Sequence, residues 1–216
     1  YNKLITQTNL AEKWISKNRQ KSLKNIKKRS LSVESKVNFL SKLRGELIKQ
    51  NGQKNIIFNI ITSAEINAFL DSPSAKKFLK RWVATPDHII RTKGKPLFFQ
   101  GPLETIDEKD IFNQIQDYKN EYLRYFKEHS KNKNLTMLNP LPNLIWAKGI
   151  GIIGVGSSKK AAKIVTDIAQ QTVTVYSECI KASAHFKSLP ENDLFEMEYW
   201  SLEQAKLGSK KERKLQ

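Results

Sequence analysis

One stretch of the sequence constrains the fold more than any other. It is residues 143–183, NLIWAKGIGIIGVGSSKKAAKIVTDIAQQTVTVYSECIKAS. An apolar run, Leu144–Trp146, predicts a strand, and a glycine-rich segment then leads into a long pattern of helical period. In α/β proteins a strand, a glycine-rich turn and a helix place backbone amides and a helix N-terminus together, where ligands bind. The stretch is therefore either a ligand cradle or a structural element of the core.

The glycines match the dinucleotide-binding fingerprint G-x-G-x-x-G through Gly149, Gly151 and Gly154. In that fingerprint the helix opens at the third glycine, and an acid about 20 residues further on ends a second strand. Here residues 155–158 intervene before the helical pattern, and Asp167 lies inside it. These surroundings argue against nucleotide binding. The serines at 157 and 158 are instead expected to cap the helix that covers residues 159–182.

The rest of the chain alternates between strand-like and helix-like patterns. β-rich runs predict strands at residues 55–61, 97–99 and 144–146. Helical periodicity covers residues 1–18, 33–50, 63–70, 107–126 and 159–182, with Ser63 and either Thr105 or Asp107 as expected N-caps. Short strands that alternate with helices indicate an α/β fold with one sheet. We therefore predict a single sheet flanked by helices, with an N-terminal helical extension and a C-terminal arm. Residues 195–206 of this arm are predicted to be a helix or an extended segment.

The charge is strongly basic, with 38 Lys and Arg against 21 Asp and Glu and a formal net charge of +17. Such a charge favours anionic partners. Residues 1–54 contain only the acids Glu12, Glu34 and Glu46. A run of this kind is commonly a solvated helix face or linker, and electrostatics alone supplies non-specific affinity. A basic, nucleic-acid-binding α/β protein stays an alternative, but we do not expect nucleic acid as a partner.

Cysteine and histidine usage offers little chemistry. The single Cys179 excludes an intramolecular disulfide, and we expect it to be buried and inert in its helix. His129 and His185 have no second ligand at metal spacing, so neither is expected to bind a metal. No run approaches the roughly 20 apolar residues of a membrane span. We predict a cytoplasmic protein without a membrane partner.

The segment at residues 85–93, TPDHIIRTK, is the strongest candidate for a functional site. Asp87 and His88 lie in a predicted turn, and Arg91 and Lys93 follow three and five residues after the histidine. His88 could serve as an acid, a base or a hydrogen-bond donor, while Arg91 and Lys93 could hold a phosphate or a carboxylate. The functional form of this hypothesis is a sugar-phosphate binding module. The same residues could instead satisfy backbone groups of the turn and pair with acids.

A second polar group surrounds Tyr199 and Trp200 near the C-terminus. The carboxylates of Glu196, Glu198 and Glu203 flank these two aromatic residues. Aromatic side chains of this size are typical anchors of protein interfaces. We predict an interdomain or intersubunit arm here rather than a catalytic pair of acids.

Three segments, in this order, resemble one known family. They are TPDHIIRTKGKPLFF at 85–99, GIGIIGVGSSKKAAKIV at 149–165 and FEMEYWSLEQAKL at 195–207. They resemble bifunctional proteins that fuse a class II aldolase/adducin-type domain to a C-terminal short-chain dehydrogenase, of the rhamnulose-1-phosphate aldolase/lactaldehyde dehydrogenase type. The resemblance covers nearly all of the chain. It implies a class II aldolase-like sheet, and for the parent protein it implies zinc, NAD(P) and a role in carbohydrate metabolism.

The register of this resemblance implies that the chain is the middle of such a parent. Residues 1–15 resemble the helix that follows the family's first His-Gly motif, and no TGxxxGxG nucleotide loop is present. The implied division is 1–54 as the end of the preceding aldolase unit and a connector, 55–188 as a degenerate aldolase-like domain, and 189–216 as an arm and linker. The missing aldolase and dehydrogenase portions are then the expected partners, with a homo-oligomer as a further option.

The glycine stretch resembles a second, degenerate copy of the His-Gly motif. Ile150 stands where the first copy would offer a zinc-ligating histidine, and an aliphatic side chain cannot coordinate zinc. The resemblance therefore implies a structural copy with neither metal nor cofactor in this chain. It also implies a fragment that is inactive alone, packs onto the aldolase core and helps assembly.

Overall fold

A computed structural model describes residues 1–18, 31–52, 55–80, 83–131, 134–182 and 187–208. Its main elements are α1 Asn2–Asn18, α2 Val33–Asn51, β1 Ile57–Ile61, α3 Ala64–Asp71, α4 Ile89–Thr92, β2 Leu97–Phe99, α5 Glu108–His129, β3 Leu144–Ala147, β4 Gly151–Gly156, α6 Lys159–Lys181, α7 Glu191–Glu198 and α8 Ser201–Gly208. Short 3-10 helices span Pro73–Phe78 and Pro86–His88.

The strands form one mixed sheet in the order β1-β4-β3-β2. β4 pairs antiparallel with both β1 and β3, whereas β2 pairs parallel with β3. Helices cover both faces of this sheet. The predicted α/β fold, a single sheet flanked by helices, is confirmed and is consistent with a class II aldolase-like domain.

Each face of the sheet carries its own apolar core. On one face α2 and α5 pack over Leu97, Ile145 and Ile153, where the rings of Phe39 and Phe99 meet edge to face at 5.1 Å. On the other face α3 and α6 pack over Leu144, Trp146 and Ile152. Because helices cover both faces, the central strands are buried over most of their length, which is why their sequences are mostly apolar.

Side-chain caps fix where the long helices begin. The predicted caps at Ser63, Asp107 and Ser158 are confirmed, since each accepts a hydrogen bond from the backbone N–H three residues later. Their distances are 3.1, 2.7 and 3.1 Å respectively. Such caps satisfy N–H groups that have no partner inside the helix.

The predicted glycine-rich turn is wrong, because most of that segment is strand β4. The turn itself is short: the Ile150 N–H donates to the Ala147 carbonyl oxygen at 3.1 Å, with Gly149 at a φ of 81°. The glycines later in this segment allow a helix to pack against the strand. A Cβ on Gly154 would lie 2.3 Å from the Ala162 carbonyl oxygen. The glycines therefore let the first turns of α6 lie directly on the backbone of β4.

The two ends of the chain differ in how they pack. α1 forms as predicted, but none of its residues is buried. Residues 195–206, predicted as a helix or an extended arm, lie mostly in two short helices, and Phe195 of α7 is fully buried among Tyr122, Tyr125 and Tyr199. The division at residues 54 and 188 stays a prediction. Within the described ranges, no helix is long and apolar enough to cross a membrane.

The close approach of α6 to β4 predicts that Gly154→Ala destabilises the fold by about 1–3 kcal/mol or more, because the new Cβ overlaps helix backbone. Urea denaturation followed by circular dichroism measures the loss. Gly45→Ala in α2 is the matched control: nothing lies within 4 Å of its added Cβ, so removing a helix-interior glycine should stabilise by about 0.5–1 kcal/mol. Equal free energies of unfolding for the two variants would contradict this account.

Candidate functional site

The two segments singled out from the sequence, residues 85–93 and 195–207, lie against each other in the fold. α4 contacts both α7 and α8, and the 3-10 helix Pro86–His88 contacts α7. Ile89 and Ile90 are buried with Val83 and Leu194 beneath these contacts. An apolar cluster therefore fixes α4 against the C-terminal helices, and it places polar side chains from both segments in the interior.

Lys93 ends α4 in an unusual backbone conformation. Its φ is 59°, in the left-handed region that costs a non-glycine residue about 1–2 kcal/mol. Its N–H donates to the Ile89 carbonyl oxygen at 2.7 Å, as glycine commonly does at this position of a helix end. The Lys93 side chain is buried, with only 3% of the residue exposed. The Lys93 side chain therefore lies in the protein interior and not at the surface, where it could bind a phosphate.

The Lys93 ammonium lies over an aromatic ring of α5. Its Nζ atom is 4.5 Å from the centroid of the Tyr122 ring. A cation over the face of a tyrosine ring is attracted by the negative charge of that face, most strongly where water is excluded. Tyr122 is itself buried, so this contact links α4 to α5 inside the core.

The Tyr122 hydroxyl continues the polar contacts toward α7. It donates to Glu198 Oε1 at 2.8 Å and lies 2.8 Å from the Tyr199 hydroxyl. The Tyr199 oxygen also accepts from the Leu138 N–H at 3.2 Å. Because the Tyr122 proton goes to Glu198, the Tyr199 hydroxyl must donate to the Tyr122 oxygen. We call Lys93, Tyr122, Glu198 and Tyr199 the buried polar cluster.

The electrostatics of this cluster keep Tyr122 protonated. Burial raises the pKa of its hydroxyl far above the ordinary value, and the neighbouring charges of Glu198 and Tyr199 raise it further. A tyrosinate at this place would lie beside the Glu198 carboxylate without water. Tyr122 is therefore a hydrogen-bond donor at all physiological pH values rather than a base.

The four polar residues predicted to form a site at the turn differ in how deeply they are buried. Asp87 is exposed, His88 and Arg91 are half-buried, and Lys93 is buried. The Arg91 carbonyl oxygen accepts from Asn143 Nδ2 at 3.0 Å, which ties the turn to the start of β3. Among described residues, buried His88 Nδ1 has no hydrogen-bond partner. A functional role for Asp87, His88, Arg91 and Lys93 stays a prediction.

Sequence reasoning missed the part that Tyr122 plays, and it placed Glu198 and Glu203 in an interdomain or intersubunit arm without predicting their burial in this chain. Both glutamates are buried, at 0% and 5% exposure. The available signal was a run of tyrosines at helical spacing in α5, residues 118, 122 and 125. Such a stripe indicates a buried face, and buried tyrosine hydroxyls need hydrogen-bond partners.

The remaining candidates carry little metal or thiol chemistry. His129 Nε2 lies 3.9 Å from Glu191 Oε2, and its ring packs on that of Tyr125 at 5.2 Å. In the described part of the chain, no group of three His, Cys, Asp or Glu could hold a metal. His185 lies outside the described residues. The expectation that Cys179 is buried is wrong, since it is half-buried; burial, then Glu178, raises its thiol pKa.

Comparison with known proteins identifies the domain type. A family model described as aldolase class II, second domain, matches residues 34–207. The uncharacterized oxidoreductase YuxG of Bacillus subtilis (strain 168) is 27% identical over 159 residues. The match covers 72% of this chain but 23% of YuxG, so the chain spans about a quarter of that relative's length. No solved structure matches.

The buried polar cluster predicts that Tyr122→Phe destabilises the protein by about 1–3 kcal/mol, because a buried carboxylate loses its donor. Denaturant titration at neutral pH measures this loss. Tyr118→Phe is the matched control in the same helix, since its hydroxyl donates to a backbone carbonyl oxygen, that of Lys95, at 3.1 Å. Its loss should be smaller. A Tyr122→Phe variant as stable as the native protein would show that the cluster contributes nothing.

The raised pKa of Tyr122 also predicts a pH dependence of stability. Above the unfolded-state value of about 10, the unfolded tyrosine loses its proton whereas the buried one keeps it. Stability is therefore fully present below pH of about 10 and falls as the pH rises beyond it, by up to about 1.4 kcal/mol per unit for this group. Denaturant titrations of native protein and Tyr122→Phe across this range isolate the contribution of Tyr122. Parallel curves would refute it.

Proposed function

This chain belongs to the family of class II aldolase second domains, and from that premise we propose that it is the structural second domain of a sugar-phosphate aldolase region fused to a short-chain dehydrogenase. The parent would cleave a phosphorylated 1-ketose into dihydroxyacetone phosphate and an aldehyde. Its dehydrogenase would then oxidise the aldehyde with a nicotinamide cofactor. The chain's own part is to pack onto the aldolase core and help assembly rather than to catalyse.

The observation that carries this proposal is the filled glycine segment. A Cβ on Gly156 would lie 2.6 Å from the Ala162 backbone nitrogen, and one on Gly154 would lie still closer to the Ala162 carbonyl oxygen. The space that glycines leave in a nucleotide-binding loop is occupied here by helix α6 of the same chain. NAD(P) therefore does not fit the segment, which supports a structural role for it.

Zinc does not fit the corresponding position either. Ile150, which stands where the resemblance places a zinc-ligating histidine, is buried in the aliphatic core beside Ile145 and Ile153. A zinc site needs imidazole, thiolate or carboxylate ligands. The zinc and the NAD(P) that the resemblance implies are accordingly assigned to other parts of the parent.

Exposed apolar residues at both ends of the chain support an assembly role. In α1, Leu4, Leu10 and Trp14 are more than half exposed, and beyond α7 Trp200 and Leu202 are similarly open. Of these residues, the tryptophans are of the type that most often anchors protein interfaces. The oxidoreductase name of YuxG, a relative of much greater length, supports a parent that carries a dehydrogenase.

Activity measurements on the purified chain test the proposal. Rhamnulose 1-phosphate serves as the ketose probe, with and without added zinc, and release of dihydroxyacetone phosphate is followed by a coupled assay. Lactaldehyde with NAD or NADP tests the oxidation. We expect neither reaction above the buffer rate, while an active class II aldolase in the same assay confirms its sensitivity. Zinc-dependent cleavage that a chelator abolishes would overturn the proposal.

The same preparation separates this role from a sugar-phosphate binding module. A structural domain should show no rise in melting temperature with rhamnulose 1-phosphate. A rise that His88→Ala and Arg91→Ala both abolish would establish the binding module instead.

A further inference from the structure

Within the described ranges, strand β1 lies at one edge of the sheet without the features that usually protect such an edge. Among the described strands it pairs with β4 alone, and its five residues, IFNII, include no charge and no proline. Ile57 and Ile60 are 37% and 40% exposed. Natural edge strands are commonly blunted by lysine, proline, a bulge or a covering element, because an open edge is a template for another strand.

The hydrogen-bond register shows which backbone groups of β1 point outward. Between β3 and β4, the Val155 N–H donates to the carbonyl oxygen of Asn143, directly opposite, at 2.8 Å. Bonded and non-bonded pairs alternate in an antiparallel ladder. The backbone N–H and C=O groups of residues 151, 153 and 155 of β4 therefore point toward β3, and those of residues 152, 154 and 156 point toward β1. The backbone groups of their partners in β1, residues 57, 59 and 61, point toward β4. Those of Phe58 and Ile60 consequently point away from the sheet.

These two residues present an N–H and a carbonyl oxygen each along the open edge. Within the part of the chain that the structure describes, no hydrogen bond reaches any of these outward groups. The next outward carbonyl oxygen, that of Ile56, is different because Arg44 Nε donates to it at 2.7 Å. The edge thus offers a short, bounded set of donors and acceptors.

We propose that β1 pairs antiparallel with β1 of a second copy of this chain, about a two-fold axis at Asn59. In this register Phe58 lies opposite Ile60 of the second copy, and the pair exchanges both backbone hydrogen bonds. Symmetry repeats the exchange on the other side of the axis, so every outward group of Phe58 and Ile60 is satisfied. Two four-stranded sheets become one continuous sheet.

A register centred on Phe58 fits less well. If Phe58 lay opposite itself across the axis, Ile60 would oppose Ile56 of the second copy, whose carbonyl oxygen already accepts from Arg44. The proposed register also places Phe58 beside Ile60 across the strand boundary, a favourable aromatic–aliphatic pair. A symmetric contact of this kind is self-complementary, as a two-fold dimer requires.

The net charge of the chain predicts how the dimer should respond to salt. Each copy carries a formal net charge of +17, whereas β1 itself is uncharged. Repulsion between the two copies therefore opposes a contact that is held by backbone hydrogen bonds and apolar side chains. Because salt screens that repulsion, the dimer should strengthen as the salt concentration rises, opposite to binding of an anionic partner.

Sedimentation velocity of the full chain, over a wide concentration range and at low and high salt, tests the dimer. We expect a monomer–dimer equilibrium that salt favours. Ile60→Lys places a charge at the seam and should raise the dissociation constant at least about tenfold. The matched control is Phe112→Lys, a residue of α5 with similar exposure, 43%, and it should leave the constant unchanged. Monomers at every concentration, or equal effects of the two variants, would overturn the proposal.

Amide hydrogen exchange of the native chain tests the register even if Ile60→Lys fails to fold. At concentrations where the dimer forms, the amides of Phe58 and Ile60 should become protected. Those of residues 57, 59 and 61, which already bond to β4, should be protected at every concentration. A dimer in which the Phe58 and Ile60 amides exchange as fast as in the monomer would also overturn the proposal.

Discussion

The packing of α6 on the backbone of β4 is the contact on which the rest of this fold depends. A helix can come this close to a strand only where no side chain intervenes, and Gly154 and Gly156 provide that space beneath Ala162. The approach sets the depth of the whole helix. It brings Val165, Ala169 and Val173 onto Trp146, and α3 closes the same apolar layer. Interiors packed at this density transmit any displacement, so the glycines fix the packing of this core.

The layer on the opposite face of the sheet depends on α5, whose two halves bury different kinds of side chain. Its first half packs Ile111 and Ile115 under the sheet, and its second half presents tyrosines to α4 and α7. Placing Lys93 and Glu198 in the interior costs several kcal/mol for each ion, and partners restore this only with good geometry. We infer that the buried polar cluster fixes where the C-terminal helices lie more than it raises overall stability. Its members come from distant parts of the chain, so it ties the end of α7 to α4 and α5.

Local chemistry made much of the fold predictable. The caps at Ser63, Asp107 and Ser158 and the strand at residues 97–99 follow from short-range rules, and the structure contains them. The identity of β4 did not follow, because glycine is depleted in strands and enriched in turns. The close approach of the helix explains why this strand contains glycines. The burial of Lys93 depends on a left-handed backbone and on Tyr122, far along the chain. No local sequence pattern predicts the contact between Lys93 and Tyr122. For the same reason, the sequence around Glu198, Tyr199 and Trp200 gives no sign that Glu198 is buried.

The contact that closes the interior also fixes the open edge of the sheet. α6 holds β1 through a hydrogen bond from Asn59 Nδ2 to Thr166 Oγ1 at 2.6 Å, and α2 holds its beginning through Arg44 and the Ile56 carbonyl oxygen. These bonds fix the conformation of β1 before any partner arrives. Pairing with a preformed strand orders few additional groups, and the ordering of groups is a main cost of association. The glycines that let α6 pack closely on β4 thus help to hold the outer strand of the sheet in a conformation that another strand can join.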